Sequence, residues 1–231
     1  YHGWHDWYVA ATVRNKGIPD VLSQLAQRVP YNDLDAVQKA FRANPGEIAA
    51  LVIEPMSAIS PDDGYLAELK SLVHSEGALL VFDEIITGLR LCKSGGAGYF
   101  GIEPDISTYG KIIGGGLAIG AIGVSDEIEL TVRYGQGETL PVFMGGTFSA
   151  NPLALASGFA VLKHVNAAGV ELYKSLNHLG EKLRRTVNDY CVEKSLPAQM
   201  IGLESMSRIV FSDKEVRCRR DRDEAESWKR S

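Results

Sequence analysis

Four short apolar runs, separated by helix-forming segments, constrain the fold of this 231-residue chain most strongly. Runs of this length without polar alternation are typical of strands that are buried on both faces of a parallel sheet. They occupy residues 49–54, 78–83, 105–109 and 119–124. Because strand and helix alternate, we predict an α/β domain with a mostly parallel sheet, in which ligands bind at the carboxyl ends of the strands.

Helix signals support this pattern. Residues 62–76 repeat leucines at helical spacing, and Gly77 follows as a C-terminal stop. Asn151 and Pro152 predict the start of a further helix, because Asn caps the first turn and Pro fits within it. Apolar residues then recur at three- and four-residue steps at Leu155, Phe159, Leu162, Leu172, Leu176, Leu179, Leu183, Val187 and Tyr190. We expect this helix to lie against the large domain or to lead into a smaller one. Residues 207–211 then predict another strand.

Composition narrows the class of protein. A hydrophobic fraction of 45% supports one sizeable core, and a net charge of -5 without a long basic stripe argues against nucleic-acid binding. Cys92, Cys191 and Cys218 lie far apart and without metal-site spacing, which favours a reducing compartment and no metal centre. We find no apolar run that is long enough to cross a bilayer and no signal peptide, so we predict a cytoplasmic protein without membrane contact.

The chain divides into three predicted parts. Residues 1–165 form most of a large domain, and residues 166–213 form a connecting helix and the start of a small α+β C-terminal domain. Residues 214–231 are dense in charge and are predicted to be a solvated or disordered tail. Because the chain starts with Tyr1 in what resembles the middle of a motif, we expect it to be a fragment.

A lysine at the end of one predicted strand and an acidic pair at the end of another suggest a cofactor site. Lys111 follows strand 105–109 and opens onto the glycine run 114–116, whereas Asp83 and Glu84 end strand 78–83. An amine in this position reaches a bound aldehyde, and a carboxylate holds a protonated ring nitrogen. This pair is the minimal chemistry of pyridoxal phosphate (PLP), which we predict as the cofactor.

Several ordered motifs make the interpretation more specific. They read IEP at 53–55, VFDEIITGLR at 81–90 and PDISTYGK at 104–111, with YHG at 1–3 and GTFSANP at 146–152. Together they resemble the class III aminotransferases of PLP fold type I, in the branch that contains glutamate-1-semialdehyde 2,1-aminomutase. The resemblance implies the large domain of that fold, with a mostly parallel mixed sheet.

The resemblance also implies the roles of residues around the cofactor ring. Lys111 forms the Schiff base with PLP and then moves a proton between the substrate and the cofactor, so it is the predicted catalytic residue. Asp83 pairs with the pyridinium nitrogen, and Ile85, which points the same way along an extended strand, packs on one face of the ring. Asp83 as an ordinary capping or paired carboxylate, and Ile85 as a core residue, remain the competing interpretations.

Other matching residues extend the predicted site. Tyr1 resembles the aromatic residue that stacks on the other ring face, and His2 shapes the turn beside it. Thr147, next to Gly146, resembles the residue that reaches the cofactor phosphate of the partner subunit, which implies a homodimer with shared sites. An ordinary turn before a helix is the alternative for these two residues.

The implied activity is transfer of an amino group between a small-molecule amino donor and a keto or aldehyde acceptor. Glutamate-1-semialdehyde 2,1-aminomutase is the alternative. Two departures favour a transaminase: the long loop that the branch carries after YHG is short here over residues 7–19, and residues 56–61 lack the Asn or Gln that the family usually has shortly after Glu-Pro.

Two hypotheses from other classes stay open. The chain is an inactive fragment or a dimerisation scaffold if the phosphate-binding loop, expected upstream of Tyr1, is required for the cofactor to bind. A nicotinamide-binding domain is disfavoured, because the run Gly114-Gly115-Gly116 does not match the Gly-x-Gly-x-x-Gly pattern.

Overall fold

A four-stranded mixed sheet forms the centre of the larger part of the molecule. The computed structural model describes residues 2–132, 145–212, 214–216 and 221. The strands are β1 Ala50–Ile53, β2 Leu79–Asp83, β3 Ile106–Tyr109 and β4 Ala121–Val124, in the order β1-β2-β3-β4. The pairs β1/β2 and β2/β3 are parallel, and β3/β4 is antiparallel. The predicted α/β class with a mostly parallel sheet is confirmed, and each predicted apolar run contains one strand.

The helices connect and cover these strands. They are α1 Asp6–Val9, α2 Asp20–Ser23, α3 Leu34–Ala43, α4 Tyr65–Ser75, α5 Gly95–Phe100, α6 Asp126–Val132 and α7 Pro152–Glu193. Helix α4 is the predicted crossover from β1 to β2, and it buries Leu66, Leu69 and Val73 against Leu80 and Phe82 of β2. The helix ends before Gly77, whose φ of 74° is the left-handed conformation that glycine adopts freely.

Helix α3 begins after an N-cap residue, Asp33, that was not predicted from the sequence. Asp33 accepts a hydrogen bond from the backbone N–H of Ala36 at 2.9 Å, as an N-cap residue does. Val37 and Phe41 then fall on one face and are buried in the same core as α4. The core of the large domain therefore lies between β1, β2 and these two helices.

Strand β4 corrects one expectation. The sequence predicted strands that are buried on both faces, but Ala121, Ile122 and Gly123 are exposed. The reason is the topology, because β4 occupies the edge of the sheet and pairs with β3 on one side only. Its apolar composition gave no sign of this position.

Helix α7 begins as predicted but packs through an unexpected face. Asn151 caps it by accepting hydrogen bonds from the N–H groups of Leu153 and Ala154 at 3.0 and 3.2 Å. Gly169 has φ 60° and ψ −148°, so the element consists of two helical segments. The leucine-rich face is largely exposed, with Phe159 at 70% and Leu179 at 57%. The buried residues of the helix are Ala154, Gly158, Val165, Tyr173, Gly180 and Cys191.

Helix α7 does lie against the turn that follows β3 and leads into a β-hairpin, but its buried residues are mostly small and do not include the repeating leucines. At Gly158 and Gly180, the backbone of other segments approaches the helix closely, and a leucine side chain at either position would prevent that approach. By length and composition α7 is also long and apolar enough to cross a membrane, which corrects the expectation that the chain has no such run. Length and composition alone do not distinguish a membrane helix from one that packs on a protein surface.

A β-hairpin follows α7. Strands β5 Gln199–Leu203 and β6 Met206–Val210 pair antiparallel. The sequence predicted a strand at residues 207–211 but not its partner β5. The Arg184 side chain of α7 donates hydrogen bonds to the carbonyl oxygens of Glu204 and Met206 at 2.5 and 3.1 Å, which fixes the hairpin to the helix. Most of the charged tail lies outside the described residues.

Candidate active site

Asp83 ends β2 as a buried carboxylate with several hydrogen bonds. It is 7% exposed, and its Oδ2 lies 2.7 Å from Nδ1 of His2, while its Oδ1 accepts a bond from the N–H of Ile85 at 3.2 Å. Burial by itself raises the pKa of a carboxyl group, but the hydrogen bonds from His2 and Ile85 outweigh it, so the pKa of Asp83 lies below its ordinary value of 3.8. Asp83 is therefore an anion at neutral pH.

His2 has a more definite place than the sequence predicted. Because an ionised carboxylate only accepts hydrogen bonds, the proton of this contact lies on Nδ1 of His2. The ring of Tyr8 meets the His2 ring edge to face at 5.4 Å, and Trp7 stacks on it at 6.4 Å. His2 thus orients Asp83, which lies 81 positions later in the chain. Tyr1 lies outside the described residues, so its predicted stacking on the cofactor stays a prediction.

Lys111 opens a tight turn at the end of the neighbouring strand. A 3₁₀ turn, Lys111–Gly114, follows β3 directly, and the φ of Lys111 is 48°, which is unusual for a residue with a side chain. The residue is exposed. A Cβ at Gly110 would lie only 3.0 Å from Cδ1 of Ile85, so glycine at this position lets Ile85 pack beside the lysine turn.

The strand register brings the two ends together. Strands β2 and β3 are parallel neighbours, and Asp83 pairs with Thr108, three residues before Lys111. Asp83, Ile85 and the Lys111 turn therefore share the carboxyl edge of the sheet, where α/β proteins bind ligands. The structure thus places Asp83 with His2, Ile85 and the Lys111 turn along one edge of the sheet, and their roles toward a cofactor stay predictions.

Helix α7 packs against the turn Lys111–Gly114. The Ser157 hydroxyl donates a hydrogen bond to the carbonyl oxygen of Gly114 at 2.8 Å. A Cβ at Gly158 would lie 2.9 Å from the carbonyl oxygen of Ile113, so the helix approaches the turn at a distance that only glycine permits. Sequence reasoning missed Ser157 and Gly158. The only signal was the presence of small residues inside a helix that is otherwise apolar.

Gly146 and Thr147 lie on the turn that leads into α7. Both are exposed, and the N–H of Ser149 donates to the carbonyl oxygen of Gly146 at 3.0 Å. Their predicted role concerns a partner subunit, so it stays a prediction. Cys92 and Cys191 are free thiols, and Cys218 lies outside the described residues.

Comparisons with known proteins agree with this geometry. The family description "Aminotransferase class-III" matches residues 1–217. The chain is 39% identical over 230 residues to glutamate-1-semialdehyde 2,1-aminomutase 2 of Lachnoclostridium phytofermentans, covering 94% of this chain and 53% of that protein. It is 42% identical over 204 residues to the glutamate-1-semialdehyde 2,1-aminomutase of Aquifex aeolicus, covering 87% of this chain and 47% of that protein.

Solved structures show the same fold. An omega-transaminase from Sphaerobacter thermophilus superposes with a TM-score of 0.82 at 27% identity, covering 93% of this chain and 52% of that one. A glutamate-1-semialdehyde aminomutase from Pseudomonas aeruginosa PAO1, in complex with PMP, superposes with a TM-score of 0.81 at 26% identity, covering 97% of this chain and 53% of that one.

The chain spans about half the length of the curated relatives that it matches. The family match nevertheless extends over nearly the whole chain, and it includes both strand ends that carry Asp83 and Lys111. The fold, the ordered motifs and the match agree, and the chain belongs to the class III aminotransferase family.

Proposed function

We propose that the protein is a PLP-dependent aminotransferase that moves an amino group between a small-molecule amino donor and a keto or aldehyde acceptor. One observation carries the proposal: a buried, ionised Asp83 and the Lys111 turn lie at the carboxyl ends of neighbouring parallel strands. Membership of the class III family supports it. The relatives and structural neighbours named above are aminomutases and a transaminase.

The residues at this edge fit PLP by their chemistry. Asp83 is an anion that is held in place by His2 and the Ile85 N–H, as a partner for a protonated ring nitrogen must be. Lys111 supplies a primary amine for the aldehyde, and Ile85 supplies an apolar surface beside it. When bound, PLP serves as the electron sink for the carbanion that forms next to the substrate nitrogen.

Each side chain has a separate task in this proposal. Asp83 keeps a proton on the ring nitrogen, and His2 prevents the carboxylate from turning away. The Lys111 amine would hold the cofactor through its aldehyde group and, once displaced by an incoming amine, would be free to move a proton between the substrate carbon and the cofactor. Holding the amine beside the reacting carbon is worth on the order of 7–11 kcal/mol in well-oriented systems. The strained backbone of Lys111, fixed by α7, serves that purpose.

A binding and donor screen tests the proposal. The 231-residue chain is titrated with PLP, and release of the keto product from a panel of amino donors is measured by mass spectrometry. We expect one PLP per chain and a keto product that Lys111→Arg does not form, whereas Lys163→Arg, a change at an exposed lysine of α7, behaves as the unmodified chain. Failure to bind PLP at one per chain would favour the alternative of an inactive fragment or dimerisation scaffold.

Glutamate-1-semialdehyde 2,1-aminomutase is the second candidate. The identities of 39% and 42% to two such enzymes favour it. A mutase retains its intermediate and returns an isomer, whereas a transaminase releases a keto product. Incubation with glutamate-1-semialdehyde and no keto acceptor separates them, because only a mutase converts it to 5-aminolevulinate over many turnovers. We favour the transaminase, because the loop after YHG is short over residues 7–19 and residues 56–61 lack the Asn or Gln that the family usually has shortly after Glu-Pro.

We further propose a homodimer in which Thr147 reaches the partner subunit's cofactor phosphate, and a cytoplasmic location. Exposed apolar residues around the start of α7, Phe148 at 85% and Phe159 at 70%, support an interface near Thr147. Sedimentation velocity tests it. We expect a concentration-dependent dimer that Phe159→Ser weakens and that Lys39→Ser, at an exposed position of α3, leaves intact. A monomer at all concentrations would contradict the proposal. The domain boundary after residue 165 is likewise a proposal.

A further inference from the structure

A second carboxylate lies directly behind Asp83 and is enclosed completely. Glu84 is 0% exposed. Its Oε2 accepts hydrogen bonds from the hydroxyl of Thr87 and from the N–H of Gly96 at 2.8 Å, and its Oε1 accepts one from the N–H of Ala97 at 2.6 Å. Without such donors, burying a carboxylate costs several kcal/mol. Both oxygens of the Glu84 side chain thus accept hydrogen bonds at the start of α5.

The backbone around Glu84 is shaped to admit its carboxylate. A Cβ at Gly95 would lie 2.8 Å from Oε2 of Glu84, and Gly95 has a φ of 66°. A Cβ at Gly96 would lie 2.6 Å from Cγ of Pro55 and 3.3 Å from Oε2 of Glu84. Side chains at either glycine would push the amide groups away from the carboxylate. The absence of a side chain at Gly95 and Gly96 therefore allows the Glu84 carboxylate to reach the backbone N–H groups of α5.

Glu84 connects the start of α5 to the site through its own backbone. Its N–H donates to the carbonyl oxygen of Thr108 at 2.9 Å, and its carbonyl oxygen accepts from Gly88 at 2.8 Å. Strand β2 ends at Asp83, and Ile85 lies in the turn that follows, so the expected extended geometry at Ile85 is not what the structure shows. The Ile85 N–H holds Oδ1 of Asp83, and its side chain packs against Gly110, next to Lys111. Any rotation at Glu84 therefore moves both neighbours.

We propose that Glu84 is a positioning residue of the active site: by anchoring its carboxylate on Thr87 and the first turn of α5, it fixes the Ile85 N–H against Asp83. Its importance for catalysis rests on the function proposed above. The positioning itself does not depend on the cofactor, so it is measured in the cofactor-free chain. Failure of PLP to bind would leave the result interpretable.

The test compares two carboxylates that cap helices. Glu84→Gln places an NH₂ group against donors that need an acceptor, whereas Asp33→Ala removes the cap of α3, which packs on α4. Hydrogen exchange of the Ile85 amide and the 15N shift of His2 Nδ1 are recorded by NMR, and urea unfolding gives the global stability of both variants. The Asp105 amide, which donates to the carbonyl oxygen of Leu80 near the start of β2 and away from residue 84, serves as the internal reference for exchange.

We expect Glu84→Gln to accelerate exchange at Ile85 at least about tenfold relative to the reference, since a hydrogen bond to a charged group is lost or lengthened. The His2 Nδ1 shift changes as well. Asp33→Ala, at a comparable loss of stability, leaves both signals unchanged. If both variants lose stability while Ile85 exchange and the His2 shift stay as in the unmodified chain, Glu84 is only a helix cap and the proposal fails.

A milder variant covers the case in which Glu84→Gln does not fold. Thr87→Val removes one donor at nearly constant volume and keeps the amides of Gly96 and Ala97. We expect the same signals to move in the same direction, with exchange at Ile85 faster by about two- to fivefold. No change at Ile85 in this variant would also overturn the proposal.

Discussion

Replacement of Gly180 by alanine should destabilise the protein, although alanine favours a helix. A Cβ at Gly180 would lie 2.2 Å from the carbonyl oxygen of Glu204 and 2.8 Å from Cα of Ser205. Both atoms belong to the backbone, so the hairpin turn has to move by roughly 1 Å to restore normal contact distances. The Arg184 side chain donates hydrogen bonds to the carbonyl oxygens of Glu204 and Met206 in the same turn, so the movement also weakens these hydrogen bonds.

The opposing contributions differ in size. Overpacking costs about 1–3 kcal/mol, and weakening a hydrogen bond from a charged donor adds about 1.5–3 kcal/mol. Gly→Ala in a helix returns about 0.5–1 kcal/mol. We therefore expect Gly180→Ala to lower the free energy of unfolding by about 1.5–5.5 kcal/mol, from the first two contributions less the third.

Urea unfolding followed by circular dichroism measures the change as a lower midpoint at constant slope. Glu181→Ala, at an exposed neighbouring position of α7, should stay within about 0.5 kcal/mol of the unmodified chain. Equal or higher stability of Gly180→Ala would refute the close approach of α7 to the hairpin.

Three further predictions concern the sheet edge and the core. Because the pKa of Asp83 is lowered in the folded state, its carboxylate stabilises the fold above the ordinary pKa of 3.8, and this contribution disappears as the pH falls through the folded-state value. The difference in free energy of unfolding between the unmodified chain and Asp83→Asn should therefore shrink in acid. A difference that is constant with pH would contradict the lowered pKa. Asp33→Ala should lower the free energy of unfolding by about 1 kcal/mol, whereas Asp33→Asn, which still caps, should cost a few tenths; equal losses in urea unfolding would argue against capping. Gly158→Ala should slow reductive attachment of PLP to Lys111 by displacing the carbonyl oxygen of Ile113, and an unchanged rate in a timed mass-spectrometric assay would show that α7 does not hold the turn.

Local patterns were enough to predict the strands and the positions of Asp83 and Lys111 at the ends of two of them. Buried strands appear as short apolar runs, and a residue that follows such a run in a parallel sheet must lie at the carboxyl edge. Asp83 and Lys111 are therefore placed at the same edge by the sequence alone. The Asn151 cap was predictable for a similar reason, because its hydrogen bonds reach only Leu153 and Ala154.

Contacts between distant segments were not predictable in the same way. The pairing of His2 with Asp83 joins residues 81 positions apart, and no local pattern encodes it. The packing face of α7 was not predictable from its repeating leucines, because the close contacts of the helix occur at Gly158 and Gly180, where backbone carbonyl groups approach it. Glycines in an apolar helix indicate such approaches, but they do not identify which segment approaches.

The edge position of β4 and the partner strand β5 were missed for a related reason. Sheet order is a property of the assembled fold, and an apolar run is compatible with either a central or an edge strand. Strand β5 contains Gly202 at a φ of 140°, where a Cβ would lie 2.1 Å from the carbonyl oxygen of Met206. A glycine inside a strand weakens its pattern in the sequence, although here the close pairing requires it.

Reductive trapping tests the central claim most directly. The chain is incubated with PLP, reduced with borohydride, digested, and searched by mass spectrometry for a phosphopyridoxyl group on each lysine. We predict a single major adduct on Lys111 in the unmodified chain, none at that position in Lys111→Ala, and a reduced yield in Asp83→Asn, which lacks the ionised partner of the ring nitrogen. No adduct, or adducts spread over exposed lysines such as Lys163 with none favoured at Lys111, would contradict a cofactor site at the carboxyl edge of this sheet.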